Sequence, residues 1–177
     1  SVYGDRPTPL RREDMPTNPV SPYAVSKLAA EYYARMFYHL YGLETVSLRY
    51  FNVFGPYQDP NSQYSAVIPI FIKAIFSNKS PVIHDDGKQS RDFTYIDNIV
   101  SANILACKVQ KASGEYVNVA MGERISVLEI FNKICKILRK SIKPKFGPRR
   151  PGDVKHTLAD ITKAKEMLGW EPKVGLE

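Results

Sequence analysis

The feature that most constrains this sequence is its alternation of short apolar runs with longer stretches of helical periodicity, each closed by its own stop signal. Pro22 to Tyr41 reads as a helix with Gly42 placed as its C-terminal stop. Residues 44–51 (Glu-Thr-Val-Ser-Leu-Arg-Tyr-Phe) read as a strand, and 52–65, holding Gly55, Pro56 and Pro60, as a loop. A second helix is expected over about 66–78, where Pro69 is tolerable in the first turn. Short strands at about 81–84 and 92–95 flank a turn at Asp85–Lys88, and Asp97 can cap a third helix to about Lys108. A strand at 115–120 leads to Ser126, whose spacing to Glu129 makes a capping box for a helix to about Lys140. A last helix follows Asp160 and stops at Gly169, while the Pro-rich, polar stretch 5–22 reads as a long loop. Strands alternating with helices predict an α/β layered fold, and no repeat, low-complexity tract or linker marks an internal boundary.

Composition removes several classes of function. At 177 residues, 44% hydrophobic and 24% charged, the chain matches roughly one soluble globular domain. No apolar run approaches the roughly 20 residues a membrane span requires, and nothing at the start resembles a signal peptide. A cytoplasmic protein is therefore expected. Cys107 and Cys135 lack metal-ligand spacing and sit in apolar helical patterns, so both are expected to be buried free thiols. His39, His84 and His156 are scattered and give no metal signature. The net charge of +7 is spread without a Lys/Arg run, which favours a solvated surface over a nucleic-acid partner.

One pair of residues carries chemistry. Tyr23 and Lys27 are four apart at the start of a helix, so their side chains share one face. A phenol's reference pKa of about 10 is too high for a base at neutral pH, and a nearby cation favours the phenolate. Such a Tyr could take a hydroxyl proton while hydride leaves the same carbon for a nicotinamide. Alone the pair is weak, because a chain with 11 tyrosines produces this spacing by chance. Its setting is more specific. Ser21-Pro22-Tyr23-Ala24-Val25-Ser26-Lys27 follows Ser1-Val2-Tyr3-Gly4 and precedes Leu48-Arg49-Tyr50-Phe51-Asn52-Val53-Phe54-Gly55-Pro56. Then come Ser90-Arg91-Asp92-Phe93-Thr94-Tyr95-Ile96-Asp97, Arg150-Pro151-Gly152-Asp153-Val154 and Ala159-Asp160-Ile161. This ordered set, spanning the whole chain, resembles the extended short-chain dehydrogenase/reductases that act on nucleotide sugars.

The resemblance implies the C-terminal part of a Rossmann-type α/β protein with the smaller α/β substrate-binding region. Residues of about 1–65 would be the tail of the NAD-binding domain, and about 66–177 mainly the nucleotide-sugar-binding region. It implies that Tyr23 is the general base/acid and that Lys27 holds the nicotinamide ribose and tunes Tyr23. Tyr50 and Phe51 would line the nicotinamide end of the cofactor site. Asn52, Arg91 and Arg150 would bind the diphosphate, Asp153 the nucleotide's ribose, and Ala66, Val67, Val82, Ile83 and His84 would surround the uracil. Guanidinium forks and an amide suit a diphosphate. No glycine-rich loop for the NAD pyrophosphate occurs in the sequence. The family's catalytic Ser/Thr would stand two residues ahead of Ser1. Both ends read as cuts, Val174-Gly175-Leu176-Glu177 reading like a helix about to begin. The chain by itself is expected to be inactive.

Within the family, dehydratases and decarboxylases typically carry Glu where Ser1 stands, which favours simple epimerisation. Asn52 fits glucose- and N-acetylglucosamine-type epimerases better than the glucuronate type. Asp59-Pro60-Asn61 before Tyr64-Ser65-Ala66-Val67-Ile68-Pro69, with Gly152-Asp153-Val154-Lys155-His156-Thr157, resembles UDP-N-acetylglucosamine 4-epimerases. The implied reaction is oxidation at C4 of a UDP-sugar to a 4-keto form, rotation of the sugar and reduction from the other face, with NAD as cofactor and no metal. Thr157, where hexose-restricted relatives often carry Tyr, would leave room for an N-acetyl group. Alternatives are a 4,6-dehydratase or a non-catalytic binding member. A homodimer is expected through helix 23–41, whose Tyr33, Phe37 and Tyr41 could equally be core.

Overall fold

The computed structural model describes residues 1–61, 66–149 and 154–176. In chain order its elements begin β1 (Leu10–Arg11), α1 (Pro22–Tyr41), β2 (Ser47–Tyr50), β3 (Asn52–Phe54), α2 (Val67–Phe76) and β4 (Val82–His84). There follow β5 (Ser90–Arg91), β6 (Phe93–Tyr95), α3 (Ile96–Ala106), β7 (Tyr116–Val119) and β8 (Ile125–Ser126). The last are α4 (Val127–Ile137), β9 (Lys145–Gly147), β10 (Leu158–Ala159) and α5 (Thr162–Leu168).

Local chemistry sets the helix ends. The Ser21 hydroxyl accepts the Ala24 N–H ahead of Pro22, and Gly42 closes α1 in the left-handed region at φ 68°. Ser126 and Glu129 form the reciprocal capping box of α4, which holds the Glu129 carboxyl below its usual range. Gly169 ends α5 at φ 64°. The expected Asp97 cap is corrected. Strand β6 runs straight into α3, extended Tyr95 takes the cap position, and Asp97 lies in the first turn, where its charge still complements the helix dipole.

The expected single strand over 44–51 divides. β2 pairs in parallel with β7, whereas β3, in a stretch expected to be loop, pairs in parallel with β6. Phe51 is the branch point: its N–H reaches Val119 O at 3.4 Å, and the next N–H, of Asn52, reaches Asp92 O at 3.0 Å. β1 with β10 and β4 with β9 are parallel pairs, and β5 with β8 is antiparallel.

Two apolar clusters support this layout. Ile68, Phe71 and Ile75 of α2 meet Ile130, Phe131 and Ile134 of α4 over Ile83 and Phe93, with Phe71 and Phe131 edge-on at 5.7 Å. Ile99 and Ala102 of α3, Ala164 and Leu168 of α5, and Trp170 enclose Val117 and Val119 of β7. The Trp170 indole N–H is shared between Asn98 O and Ser101 Oγ. Cys135 is buried in the first cluster, but Cys107 is exposed, correcting the expectation for it. It occupies the C-cap position of α3, past the stretch that packs.

Asp92 is fully buried, and its carboxylate accepts the N–H groups of Met121 at 2.8 Å, Gly122 at 3.0 Å and Ala159 at 3.2 Å. Burial pushes its carboxyl up from 3.8 to about 6. Asp92→Asn turns an amide N–H₂ toward these donors and should cost about 1–3 kcal/mol in urea unfolding of the full-length protein. Because the folded form holds the proton more tightly than the unfolded chain, the Asp92 contribution is complete below about pH 4 and is lost as pH rises through 6. Unfolding measured across pH 4–7 should show that slope in the native protein and not in the Asn variant.

Candidate active site

Helical geometry places Tyr23, Lys27 and Glu31 at four-residue steps along one face of α1. That face, the β2–β3 branch point, residues 1–4, Arg11, Arg91, Val154 and Thr157 wall a cleft of about 960 Å³. The carboxyl ends of the parallel pair β2–β7 lie here, where strands of an open α/β sheet part and a crevice can form. Tyr23 is 57% exposed, and the Lys27 ammonium lies 5.5 Å from its ring centroid. Tyr50 donates its hydroxyl to Asn103 Oδ1 at 2.9 Å while its ring stays half exposed.

The far wall is polar. Arg91 donates to Ser90 O at 2.9 Å and Lys155 O at 3.1 Å, which aligns the strand with the segment entering β10. Ser90 Oγ meets His156 Nδ1 at 2.8 Å. Desolvation, with Arg124, Lys155 and Arg91 nearby, holds the His156 imidazole below its ordinary value. Thr157 donates its N–H to Ser90 O at 3.1 Å, and its hidden Oγ1 has no partner among the described residues.

Of the residues expected from the sequence, Tyr23, Lys27, Tyr50, Phe51, Asn52, Arg91 and Thr157 therefore share one cleft. Ala66 and Val67 stand at the start of α2, and Val82, Ile83 and His84 form β4; these five do not line it. Ile83 is buried in the α2–α4 core, while His84 Nδ1 contacts Pro148 O at 3.0 Å. Arg150 and Asp153 lie outside the described residues. A second, apolar groove of about 600 Å³ between α2, α4 and residues 54–58 contains none of the expected residues.

Sequence reasoning missed Tyr3, Arg11, Glu31 and Arg49 as cleft residues. Glu31 and Arg49 form a bidentate ion pair with both oxygens at 2.7 Å, and each is less than a tenth exposed. The signal available was the repeat of the Tyr23–Lys27 spacing at Glu31. Tyr3 donates to Asn118 Oδ1 at 2.6 Å, and burial pushes its phenol up to about 12, which makes it a hydrogen-bond donor rather than a base.

A parallel-stranded α/β fold with an exposed Tyr–Lys pair at the mouth of a polar cleft defines a Rossmann-type protein of the extended short-chain dehydrogenase/reductase class. The chain belongs to the family described as GDP-mannose 4,6 dehydratase, whose family model matches residues 1–177. It is 38% identical over 176 residues to a UDP-glucose 4-epimerase of Mycolicibacterium smegmatis, covering 99% of this chain and 56% of that protein. The structure of a UDP-N-acetylglucosamine 4-epimerase from Methanobrevibacter ruminantium M1, in complex with UDP-N-acetylmuramic acid, is 45% identical with a TM-score of 0.93. That match covers 97% of this chain and 55% of the other. A UDP-glucuronic acid 4-epimerase from Bacillus cereus, in complex with UDP-glucuronic acid and NAD, is 37% identical with a TM-score of 0.91, covering 99% and 55%. The chain thus spans about half the length of the relatives it matches.

Proposed function

We propose that this chain is the catalytic and sugar-nucleotide-binding part of an NAD-dependent UDP-sugar 4-epimerase. The observation that carries the reading is the exposed Tyr23–Lys27 pair, sharing one cleft with Asn52, Arg91 and Thr157. The donor set fits a nicotinamide nucleotide: a phenol and an ammonium one turn apart suit a ribose diol, and the half-exposed Tyr50 ring suits a flat base. Tyr23, Lys27, Tyr50 and Phe51 would hold that group. When bound it supplies a hydride acceptor and donor at the sugar's C4.

The chain's own residues do the rest. Tyr23 Oη takes the proton from the C4 hydroxyl and later returns it, Lys27 providing the positive charge that favours the phenolate. Asn52 and Arg91, with Arg150, anchor the diphosphate, and Asp153 the nucleotide's ribose. The resemblance gives the base to Ala66, Val67, Val82 and His84, which stand outside that cleft, with Ile83 buried in the α2–α4 core. A nucleotide held by charged anchors and a sugar held loosely allow the 4-keto sugar to rotate between the two halves of the reaction. The family description names a dehydratase, yet Ser1 stands where the resemblance places the dehydratase's extra acid/base, and the relatives above bear epimerase names.

Two surfaces extend the reading. Thr157 on the cleft wall is small, which supports an N-acetylated hexose as substrate. The face of α1 bearing Tyr33, Phe37, Leu40 and Tyr41 is exposed. We assign it to a second copy of the protein, as the family resemblance implies.

Three measurements on the full-length protein test this. Tyr23→Phe removes the proton acceptor and should lower kcat for UDP-galactose or UDP-N-acetylgalactosamine by about 10²–10⁴-fold; retention within a few-fold would end the reading. Overpacking costs roughly 1–3 kcal/mol, so Thr157→Tyr should reduce kcat/KM for UDP-N-acetylglucosamine about 5–150-fold relative to UDP-glucose. Equal losses for both sugars would remove Thr157 as the gate. Tyr33→Asp with Tyr41→Asp should convert a dimer to a monomer in light scattering, and an unchanged mass would move the interface elsewhere.

A further inference from the structure

We propose that Arg49 and Glu31 position the reacting groups of α1, by keeping the Glu31 carboxylate away from Lys27 so that the Lys27 charge stays directed at Tyr23. The inference rests on the roles of Tyr23 and Lys27 given above.

On a helix, residues four apart have Cβ atoms about 5–6 Å apart, so Lys27 can reach Tyr23 in one direction and Glu31 in the other. An unengaged Glu31 would be the nearest anion for Lys27. Instead its Oε2 accepts from Arg49 Nε and its Oε1 from Arg49 Nη2, both at 2.7 Å. This two-pronged geometry uses the planar guanidinium in a way that an ammonium cannot match. Arg49 is itself clamped, its guanidinium lying 4.8 Å from the Tyr3 ring centroid and 4.3 Å from that of Tyr116. Burial alone would lower the Arg49 guanidinium, but Glu31 and Tyr3 override it and hold it above its ordinary value. The guanidinium stays charged.

The pair also seats the helix. Ala24 and Glu31 are the buried residues of α1, whereas Tyr33, Leu40 and Tyr41 on the same helix are exposed. The ion pair therefore ties the buried face of α1 to β2, the strand that ends at Tyr50. Besides the Ser1 amine and Arg11, the charged and titratable groups around it are Tyr3 and Glu13 from the N-terminal segment, Arg35 from α1, Tyr116 from β7 and Lys163 from α5. Arg35 and Lys163 lie over the Tyr116 ring at 4.9 and 4.5 Å, Lys163 pairs with Glu115 at 2.7 Å, and Glu13 accepts the Asn118 N–H at 2.7 Å. Each is thus engaged away from Glu31.

The test is a double-mutant cycle in the full-length enzyme, read from the pH profile of kcat/KM. Arg49→Met frees Glu31 to neutralise Lys27, so the acid limb should move up by about 0.5–1 pH unit, the range for a screened charge partner. Glu31→Gln combined with Arg49→Met removes the competing carboxylate and should return the limb to the native position, whatever the loss in thermal stability. Arg49→Lys keeps a cation but loses the bidentate geometry and should give a smaller shift, again reversed by Glu31→Gln; this second cycle decides the matter if Arg49→Met does not fold. Limbs that stay in place while stability falls would overturn the proposal and leave the pair as a structural brace. Tyr23→Phe separates the two levels: if it is inactive while the limbs of the Arg49 variants stay in place, only the positioning role is rejected, whereas an active Phe variant rejects the functional reading itself.

Discussion

The carboxylate of Asp92 is the junction on which the site depends. It draws in the N–H groups of Met121, Gly122 and Ala159, while its own carbonyl takes the N–H of Asn52. Four segments far apart in sequence therefore converge within one residue of Arg91. An unsatisfied buried carboxylate would be very costly, so these donors are constrained as a set rather than one by one. Gly122 is part of that constraint. Its φ of 78° turns the N–H inward, and a Cβ there would lie 3.1 Å from Ile161 Cδ1. Asn118 continues the network, accepting from Tyr3 and donating to Arg11 O and Asp160 O.

Much of the fold was legible because its boundaries are chemical. Gly42, Ser126 with Glu129, and Gly169 each act within a turn of the residues they cap, so local reading finds them. The two-residue strands β1, β5, β8 and β10 were not legible. They are too short to carry a period of two, and each exists because a distant partner supplies its hydrogen bonds. The branch at Phe51 has the same origin: the run is uniform in sequence, and only the choice of β7 before it and β6 after it divides it. Cys107 shows the reverse limit, an apolar pattern that continues past the last turn that packs.

The site divides along the same line. Tyr23 and Lys27 are neighbours on a helix, and local spacing suffices to pair them. Asn52, Arg91 and Thr157 were placed by ordered motifs, and the cleft does bring them together with the pair. The link between Glu31 and Arg49 spans 18 residues; the four-residue spacing puts Glu31 on the Tyr23 face, but nothing local names Arg49 as its partner. Ala66, Val67 and the β4 residues, which the resemblance gave to the uracil, do not line that cleft but stand at the start of α2 and in β4.

Trp170 has a consequence for how this molecule can be watched. It is the chain's only tryptophan, and it is buried with its indole N–H shared by Asn98 and Ser101 at the back of α3. Its ultraviolet emission therefore comes from the layer formed by α3, α5 and β7, to which Tyr23 does not belong. A red shift of that emission reports water entering this layer, whereas quenching without a shift reports a change in the indole's immediate partners. Within this chain, loosening of the scaffold thus has an optical signature of its own, separate from events among the tyrosines that crowd the cleft.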